Sequence, residues 1–179
     1  MGELVADIVG LLELGDKAES LVSEFSCTEE SLTRWFRESA LRWQKSDMCR
    51  VFVGLDGNGS IVGFYSLSTA TICGAGVSRS STSCLGSSEF PAALIGRLAV
   101  RDDSVHMGIG SVLLEHAISS CVSISSCVSI SEDIGIKFIV VDPKDGVSAW
   151  YGRFGFRNSL DGRDTRMYLP VKAARARLR

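Results

Sequence analysis

The sequence has no apolar run long enough to span a bilayer, and no basic segment precedes its first apolar stretch. A transmembrane helix and a secretory signal are therefore not expected. The six cysteines form no Cys-x-x-Cys pair and no grouping with histidine, which argues against a metal site and against a disulfide framework. We expect a cytoplasmic protein with reduced thiols, no bound metal and no membrane association.

The composition indicates a globular protein. The chain has 179 residues, of which 45% are hydrophobic and 22% are charged, so we expect a single domain over residues 1–179. The net charge of −2 is unevenly spread, because residues 1–33 are acidic whereas residues 34–50 and 151–179 are basic, with a basic tail over about 171–179. Such basic zones either serve a polyanionic partner or are ordinary solvated faces, and charge alone does not decide.

The first half of the chain is predicted to form a helix followed by a hairpin. Residues 25–47 place their large apolar side chains on one stripe, which predicts a helix, with Thr28 and Ser31 offering capping oxygens. Residues 49–72 hold two β-rich runs around Asp-Gly-Asn-Gly, which is typical of a hairpin. Residues 73–90 are rich in glycine and serine and almost uncharged, which predicts a loop.

The second half is predicted to alternate strands with helices. Residues 91–100 and 136–142 are largely apolar and are typical of buried strands, with Arg97 as the one charge in the first. Residues 146–156 predict a short helix that runs into a turn, and residues 165–171 predict a final strand.

Residues 119–130 are a perfect tandem duplication of Ser-Ser-Cys-Val-Ser-Ile. Two copies are too few for a solenoid. A helical stripe and a period of two both run through them, and serine and β-branched residues are weak helix formers, so helix and strand stay open. Because six residues turn a helix by about 600°, we expect a bulge or a loop to absorb the extra copy.

Two glycines, Gly108 and Gly110, stand where a helix begins after the strand over residues 91–100. The first amides of a helix have no intrahelical partner and carry partial positive charge, and glycine lets a bulky anion approach them. The segment is therefore either a cradle for a pyrophosphate, with Ser111 as a further donor, or a tight turn chosen for packing. It is not a Walker A loop or a Rossmann fingerprint, because the lysine of the one and the third glycine of the other are absent.

Together these motifs resemble those of the GNAT family of acetyl-CoA-dependent N-acetyltransferases. The family's (Gln/Arg)-x-x-Gly-x-(Gly/Ala) motif falls on residues 105–110, where valine stands first. Its later motif, in which asparagine is common at the first position, falls on Asp145, Ser148, Trp150, Tyr151, Gly155 and Phe156. The resemblance is strongest to toxins of toxin–antitoxin pairs that acetylate aminoacyl-tRNA, and it is carried by FSCTEESLTRWF, IGRLAV and SAWYGRFGF.

The resemblance implies a fold of the α/β (α+β) class. Its central sheet is mixed, mostly antiparallel and twisted, with six or seven strands flanked by about four helices, and the fourth and fifth strands splay to admit acetyl-CoA. It also implies an acetyltransferase toxin that modifies the α-amine of aminoacyl-tRNA and so blocks translation. The expected partners are aminoacyl-tRNA, a ribbon-helix-helix antitoxin and a second copy of the chain in a homodimer.

The resemblance also implies roles for particular residues. Tyr151 would be the acid that protonates the leaving thiolate, and the backbone of Leu98, Ala99 and Val100 would pair with the pantetheine arm. The other residues expected to bind acetyl-CoA are Val105, His106, Met107, Gly108, Ile109, Gly110, Ser111, Asp145, Trp150 and Phe154. No obvious general base is present, and neither His106 nor His116 is expected to serve as one.

Basic residues are the candidates for binding the tRNA. The set consists of Arg34, Arg37, Arg42, Lys45, Arg97, Arg153 and Arg157, with Arg50, Arg163 and Arg166 in the same two zones. Arg97 either orients the substrate or pairs with an acid. Two other functions stay open: a GNAT enzyme for a small-molecule or protein amine, and an inactive module that binds acyl-CoA or an antitoxin, which Val105 and Asp145 motivate.

Overall fold

In a computed structural model of the protein, the described residues are 5–82, 88–122, 135–160 and 165–178. Their strands are β1 (Asp7–Gly10), β2 (Arg50–Leu55), β3 (Ile61–Cys73), β4 (Glu89–Val100), β5 (Phe138–Val141), β6 (Arg157–Asn158) and β7 (Met167–Pro170). Their α-helices are α1 (Ala18–Glu24), α2 (Glu30–Lys45), α3 (Arg79–Thr82), α4 (Ile109–Val122), α5 (Ser148–Arg153) and α6 (Val171–Arg177). None of these helices has the length and apolar character needed to cross a membrane.

The strands form a seven-stranded sheet in the order β1-β2-β3-β4-β5-β7-β6. Strands β4 and β5 pair in parallel, whereas β1-β2, β2-β3, β5-β7 and β6-β7 pair antiparallel. The parallel ladder joins Ala92–Ile95 to Phe138–Val141, and β4 then continues through Gly96–Val100 beyond it. The mixed, mostly antiparallel sheet confirms the predicted fold class, and the ladder ends where the splay is expected.

The chain divides into two compact units, the first of which comprises the residues up to Ser68 and Gly96–Ala117. Its core is built around three phenylalanines. The rings of Phe36 and Phe64 stack at 4.1 Å, and Phe25 meets both edge-on at 5.0 and 5.3 Å. These buried contacts hold α2 against the hairpin of β2 and β3.

The second unit comprises Thr69–Ile95 and the residues from Ile118 onward. Every residue of β5 is buried, as the apolar run predicts. The Phe138 ring lies 5.8 Å from Phe90 and 5.7 Å from Tyr168, both edge-on. Strand β7 runs directly into α6, so this core also positions the end of the chain.

The predicted hairpin is confirmed, with β2 and β3 joined by a tight turn. The Asp56 carboxylate accepts hydrogen bonds from the amides of Asn58 and Ser60, each at 2.9 Å. This is the local bonding that makes aspartate favourable at the start of a turn.

The predicted cap of α2 is wrong. The helix begins at Glu30, and the residue before it makes no side-chain cap. The Thr28 hydroxyl instead donates to Asp102 at 2.9 Å, and the Ser31 hydroxyl donates to Glu29 at 2.7 Å. Both hydroxyls therefore donate to a carboxylate.

The predicted loop over residues 73–90 is only partly irregular. A 3-10 turn spans Gly74–Gly76, α3 follows, and β4 already begins at Glu89. Serine hydroxyls bond locally here, since those of Ser78 and Ser81 lie 2.8 Å apart. Local bonding of this kind supports short helical turns that a composition argument misses.

The structure describes the basic tail almost fully and the tandem duplication only in part. The basic segment at the end of the chain forms α6, in which Val171 and Ala174 are buried. Of the duplication, residues 119–122 belong to α4. The expected bulge or loop falls in its remaining residues, which lie outside the described ranges.

Candidate functional site

The predicted cradle lies at the start of α4. Gly108 has a φ of 84°, a left-handed conformation that favours glycine, and its carbonyl accepts the amides of Ser111 and Val112 at 3.0 and 3.2 Å. The amides of Gly108, Ile109 and Gly110 have no hydrogen-bond partner among the described residues. Free N–H groups at a helix start are what binding of an anion requires.

The space beside this turn is open. A β-carbon built on Gly108 would have no heavy atom within 4 Å. His106 is exposed with a φ of 67°, so a second left-handed residue shapes the same turn. Val105 and Met107 are exposed as well, at 39% and 47%. The residues present therefore offer both donors and room for a pyrophosphate.

Two acids precede the cradle, and both are engaged by donors. Asp103 accepts hydrogen bonds of 2.7 Å from Arg101 and of 2.7 Å from Ser104, and the hydrogen bond from Arg101 is the main reason that the pKa of Asp103 is lowered. Asp102 accepts the Thr28 hydroxyl. These donors offset part of the negative charge that the carboxylates place just before the cradle.

The last residues of β4, Leu98 to Val100, present a backbone edge that no described strand covers on the β5 side. Strand β3 lies close on one side, since a β-carbon on Gly63 would come within 2.7 Å of the Ala99 carbonyl oxygen. On the other side the ladder with β5 ends at Ile95, and no strand among the described residues continues it. A pantetheine arm could add to such an edge as a further strand.

Tyr151 lies in the second unit, on the short helix α5. Its ring packs edge-on against Trp150 at 4.8 Å and Phe156 at 5.8 Å, and only 9% of the residue is exposed. The hydroxyl makes no hydrogen bond to a described residue. Burial raises the pKa of Tyr151 to about 12, so the phenol stays protonated at neutral pH.

The other three candidates on this segment differ in setting. Trp150 and Phe154 are half-buried and in ring contact at 5.2 Å, which shows an aromatic cluster on one side of α5. Asp145 is exposed in the connection between β5 and α5. The structure thus places Tyr151 and the aromatic pair together, with Asp145 a few residues before them.

The two histidines lie in different settings within the first unit. Nδ1 of His116 is 2.8 Å from the Tyr65 hydroxyl, and burial lowers the pKa of His116, an effect that Asp7 opposes. His116 is thus a partly buried, neutral ring held by a tyrosine. His106 belongs to the exposed turn of the cradle.

Arg97 packs against two tryptophans. Its guanidinium carbon lies 4.1 Å from the centre of the Trp35 ring and 5.0 Å from that of Trp43. Burial lowers the pKa of Arg97, and the same effect raises the pKa of the neighbouring Cys49. Among the described residues, no acid forms an ion pair with Arg97. The aromatic partners were not predicted, although both lie on the apolar stripe of α2.

Many of the basic side chains predicted to bind tRNA already form ion pairs or hydrogen bonds within the protein. Arg34 pairs with Glu30, Arg37 donates to the Phe25 carbonyl, Arg50 pairs with Asp47, and Arg166 makes two hydrogen bonds to Asp142. Arg42 and Lys45 line a surface groove that also holds Glu19 and Glu38. The Arg153 carbonyl accepts a hydrogen bond from Arg177, and Arg163 lies outside the described residues. The first basic zone is therefore largely balanced by nearby acids.

Comparison with known proteins gives two kinds of likeness. No family model matches the sequence. The chain is 32% identical over 139 residues to a protein of Mycobacterium tuberculosis named tRNA-acetylating toxin, and the alignment covers 77% of this chain and 79% of that protein.

The solved structures extend the likeness to the fold. AtaT complexed with acetyl-methionyl-tRNAfMet has a TM-score of 0.84 at 20% identity, with 97% of this chain and 99% of that chain covered. A tyrosine-to-phenylalanine variant of the AtaT toxin, bound to the C-terminus of the antitoxin AtaR and to acetyl-CoA, has a TM-score of 0.71 at 19% identity, with 88% of this chain and 89% of that chain covered. Within the described ranges, no group of three His, Cys, Asp or Glu side chains is arranged to hold a metal.

Proposed function

Because the chain belongs to the family of tRNA-acetylating toxins, we propose that it is an acetyl-CoA-dependent N-acetyltransferase that modifies the α-amine of aminoacyl-tRNA and so blocks translation. The observation that carries the proposal is the 32% identity to a tRNA-acetylating toxin over 79% of its length. The relatives of known structure include one bound to an acetylated aminoacyl-tRNA and one bound to acetyl-CoA.

The residues of the cradle would hold the pyrophosphate of acetyl-CoA. The free amides of Gly108, Ile109 and Gly110 supply donors without a lysine, and Ser111 adds a hydroxyl. The further residues proposed to contact acetyl-CoA are Leu98, Ala99, Val100, Val105, His106, Met107, Asp145, Trp150 and Phe154. When bound, acetyl-CoA supplies an acetyl group activated as a thioester.

Tyr151 would act as the general acid. As the amine nitrogen bonds to the acetyl carbon and the carbon–sulfur bond breaks, the phenol donates its proton to the departing sulfur. The raised pKa of Tyr151 keeps that proton in place until it is needed. The amine gives up its own proton to water. An amine whose carboxyl group is esterified to tRNA has a lower pKa than lysine, so it needs little further help.

The partners follow from the same proposal. Aminoacyl-tRNA is the substrate, and an antitoxin restrains the enzyme in the cell. We propose that the antitoxin belongs to the ribbon-helix-helix class and that the enzyme works as a homodimer in the cytoplasm. Arg97, held over Trp35 and without an acidic partner among the described residues, is proposed to orient the substrate.

The direct test is acetyl transfer by the purified protein. Labelled acetyl-CoA is supplied together with aminoacyl-tRNA, with the same tRNA after deacylation, or with a lysine-containing peptide. We expect label only in the charged tRNA. Equal labelling of the peptide would favour an enzyme for small-molecule or protein amines, and acetyl-CoA binding without any transfer would favour an inactive module.

A further inference from the structure

A groove of about 620 Å³ in the second unit is lined mainly by basic and hydroxyl side chains. Its polar lining consists of Lys137, Arg157, Lys172, Arg175, Ser80 and Ser81. The remaining lining is aliphatic, and no acidic or aromatic side chain among the described residues contributes. The groove therefore concentrates positive charge by joining Lys137 to basic residues of the 151–179 zone, of which only Arg157 was an individual candidate for tRNA binding.

Three elements bring these cations together. Lys172 and Arg175 are three residues apart on α6 and so share a face. The Val171 amide donates to the Lys137 carbonyl at 3.0 Å, which fixes Lys137 beside the start of that helix. Strand β6, which carries Arg157, pairs with β7, and β7 runs directly into α6. The fold of the second unit thus holds the four side chains around one groove.

Three of these four cations have no paired carboxylate among the described residues, unlike several other basic residues of the protein. In the rest of the described chain, Arg34, Arg50, Arg101 and Arg166 are each paired with a carboxylate. Lys137, Arg157 and Lys172 make no ion pair with any described residue. Like charges held together repel one another and reduce stability, and a polyanion that enters the groove relieves this repulsion.

We propose that this groove binds the sugar–phosphate backbone of the tRNA substrate, an inference that rests on the proposed function. Arginine, lysine and serine are among the side chains that contact phosphate oxygens in nucleic-acid complexes. The lining residues that the structure describes offer no aromatic ring on which a base could stack, so binding here supplies affinity without selecting a sequence. An RNA is favoured over an acidic protein segment because the proposed substrate is itself a polyanion.

The test compares two exposed lysines that undergo the same change of charge. Lys172→Glu alters the groove, whereas Lys17→Glu alters the first unit, where Lys17 lies outside both grooves. We expect Lys172→Glu to weaken tRNA binding at least about tenfold and to reduce the slope of log affinity against log salt by roughly one, as expected when one phosphate is no longer neutralised by the protein. Lys17→Glu should leave both within about twofold of wild type, and Lys172→Arg should retain affinity.

A second substitution checks that the effect belongs to the groove. Arg157 is also exposed, and Arg157→Glu should weaken tRNA binding to a similar degree while thermal unfolding and acetyl-CoA affinity stay at wild-type values. Unchanged tRNA affinity in both groove variants would overturn the proposal, as would an equal loss in Lys17→Glu. A loss of binding to an acidic peptide or an antitoxin, with tRNA affinity intact, would also overturn it and assign the groove to a protein.

Kinetics separate this proposal from the proposed function. If the wild-type protein acetylates charged tRNA, the groove variants should show a raised KM for tRNA with kcat little changed. A protein that binds tRNA through the groove but transfers no acetyl group would contradict the proposed function alone. A protein that acetylates charged tRNA equally well with and without Lys172→Glu would contradict the groove alone.

Discussion

The chemistry proposed at the residue scale depends on one buried phenol. Tyr151 is largely enclosed by Trp150 and Phe156, and its hydroxyl has no partner among the described residues. An acid with a pKa of about 12 keeps its proton at neutral pH, so the phenol is present in its proton-donating form. The proposed acceptor of this proton is the thiolate that leaves the thioester.

Tyr151→Phe keeps the ring and removes only the hydroxyl. We expect turnover to fall by roughly 10²–10⁴-fold, the usual effect of losing a general acid. Packing against Trp150 should be retained, so acetyl-CoA affinity and thermal stability should stay near wild-type values. The rate of transfer to charged tRNA and the dissociation constant measured by calorimetry check the two halves of this prediction.

The dependence of kcat on pH provides a second test of Tyr151 as the general acid. Because burial raises its pKa, the proton-donating form persists as the pH rises, and no fall in kcat due to Tyr151 is expected below about pH 10. Wild-type turnover by Tyr151→Phe would show that another group or water is the acid. A fall in kcat near pH 8 that disappears in Tyr151→Phe would show that the phenol ionises much earlier than its burial implies.

The cradle makes a separate prediction at Gly108. Any residue other than glycine must adopt an unfavourable backbone φ at this position, at a cost of about 1–2 kcal/mol. A β-carbon there has no heavy atom within 4 Å, so no steric clash is added. Gly108→Gln and Gly108→Glu add almost the same volume and differ in charge. If the turn holds a pyrophosphate, Gly108→Glu should bind acetyl-CoA at least about tenfold more weakly than Gly108→Gln, since the added charge repels the anion.

Calorimetry on the two Gly108 variants checks this comparison. Equal losses would mean that bulk or backbone strain matters and that the anion interpretation is incorrect.

The sequence motif correctly predicted that Gly108 lies at a helix start and that Tyr151 lies on a short helix, because both predictions depend on local pattern. The stacking of Arg97 on Trp35 and Trp43 was not predictable in this way, because it joins β4 to a helix more than fifty residues earlier.

At the scale of elements, Gly63 sets how closely β3 approaches β4. A β-carbon there would lie 2.7 Å from the Ala99 carbonyl oxygen and 2.7 Å from Cδ1 of Leu113. The leucine can shift, but the backbone oxygen cannot without moving the edge proposed to bind pantetheine. Gly63→Ala should therefore destabilise the protein by about 1–3 kcal/mol and weaken acetyl-CoA binding.

Gly57→Ala is the matched control for Gly63→Ala. A β-carbon at Gly57 has no heavy atom within 4 Å, so this variant should unfold at nearly the wild-type denaturant concentration. Denaturant unfolding and acetyl-CoA titration of both variants give the comparison. Equal stability of the two would show that β3 and β4 are not packed as closely as Gly63 indicates.

The duplication makes a prediction about α4. Cys121 and Val122 are fully buried at the end of the described helix. Deleting residues 121–126 brings Cys127 and Val128 into their places, so the sequence of the helix up to that point is unchanged. We expect the deletion variant to fold with near-wild-type thermal stability. Failure to fold would show that the second copy supplies packing of its own.

The elements were predictable where the sequence pattern is local. The hairpin around Asp56 and the buried strand β5 are confirmed, because turn chemistry and continuous apolar residues act over a few positions. The cap of α2 was wrong because Thr28 bonds to Asp102, 74 residues away. Only the folded chain brings such a partner to the helix end.

At the scale of the whole molecule, charge distribution distinguishes the surfaces. The basic zone over residues 34–50 was prominent in the sequence, yet its side chains lie near carboxylates such as Glu30 and Asp47. The groove around Lys172 combines residues from separate parts of the chain. Net charge per segment therefore predicted that a basic surface exists, but not which bases remain without counter-charges.

The central claim is that the acceptor is the α-amine of an amino acid attached to tRNA. The most direct measurement is mass spectrometry of the tRNA 3′ end after reaction with acetyl-CoA and nuclease digestion, with Tyr151→Phe in parallel. We predict a terminal adenosine that carries an N-acetylated amino acid, formed by the wild-type protein and strongly reduced in the variant. If the aminoacyl-adenosine stays unmodified after prolonged incubation with folded protein that binds acetyl-CoA, the account is contradicted.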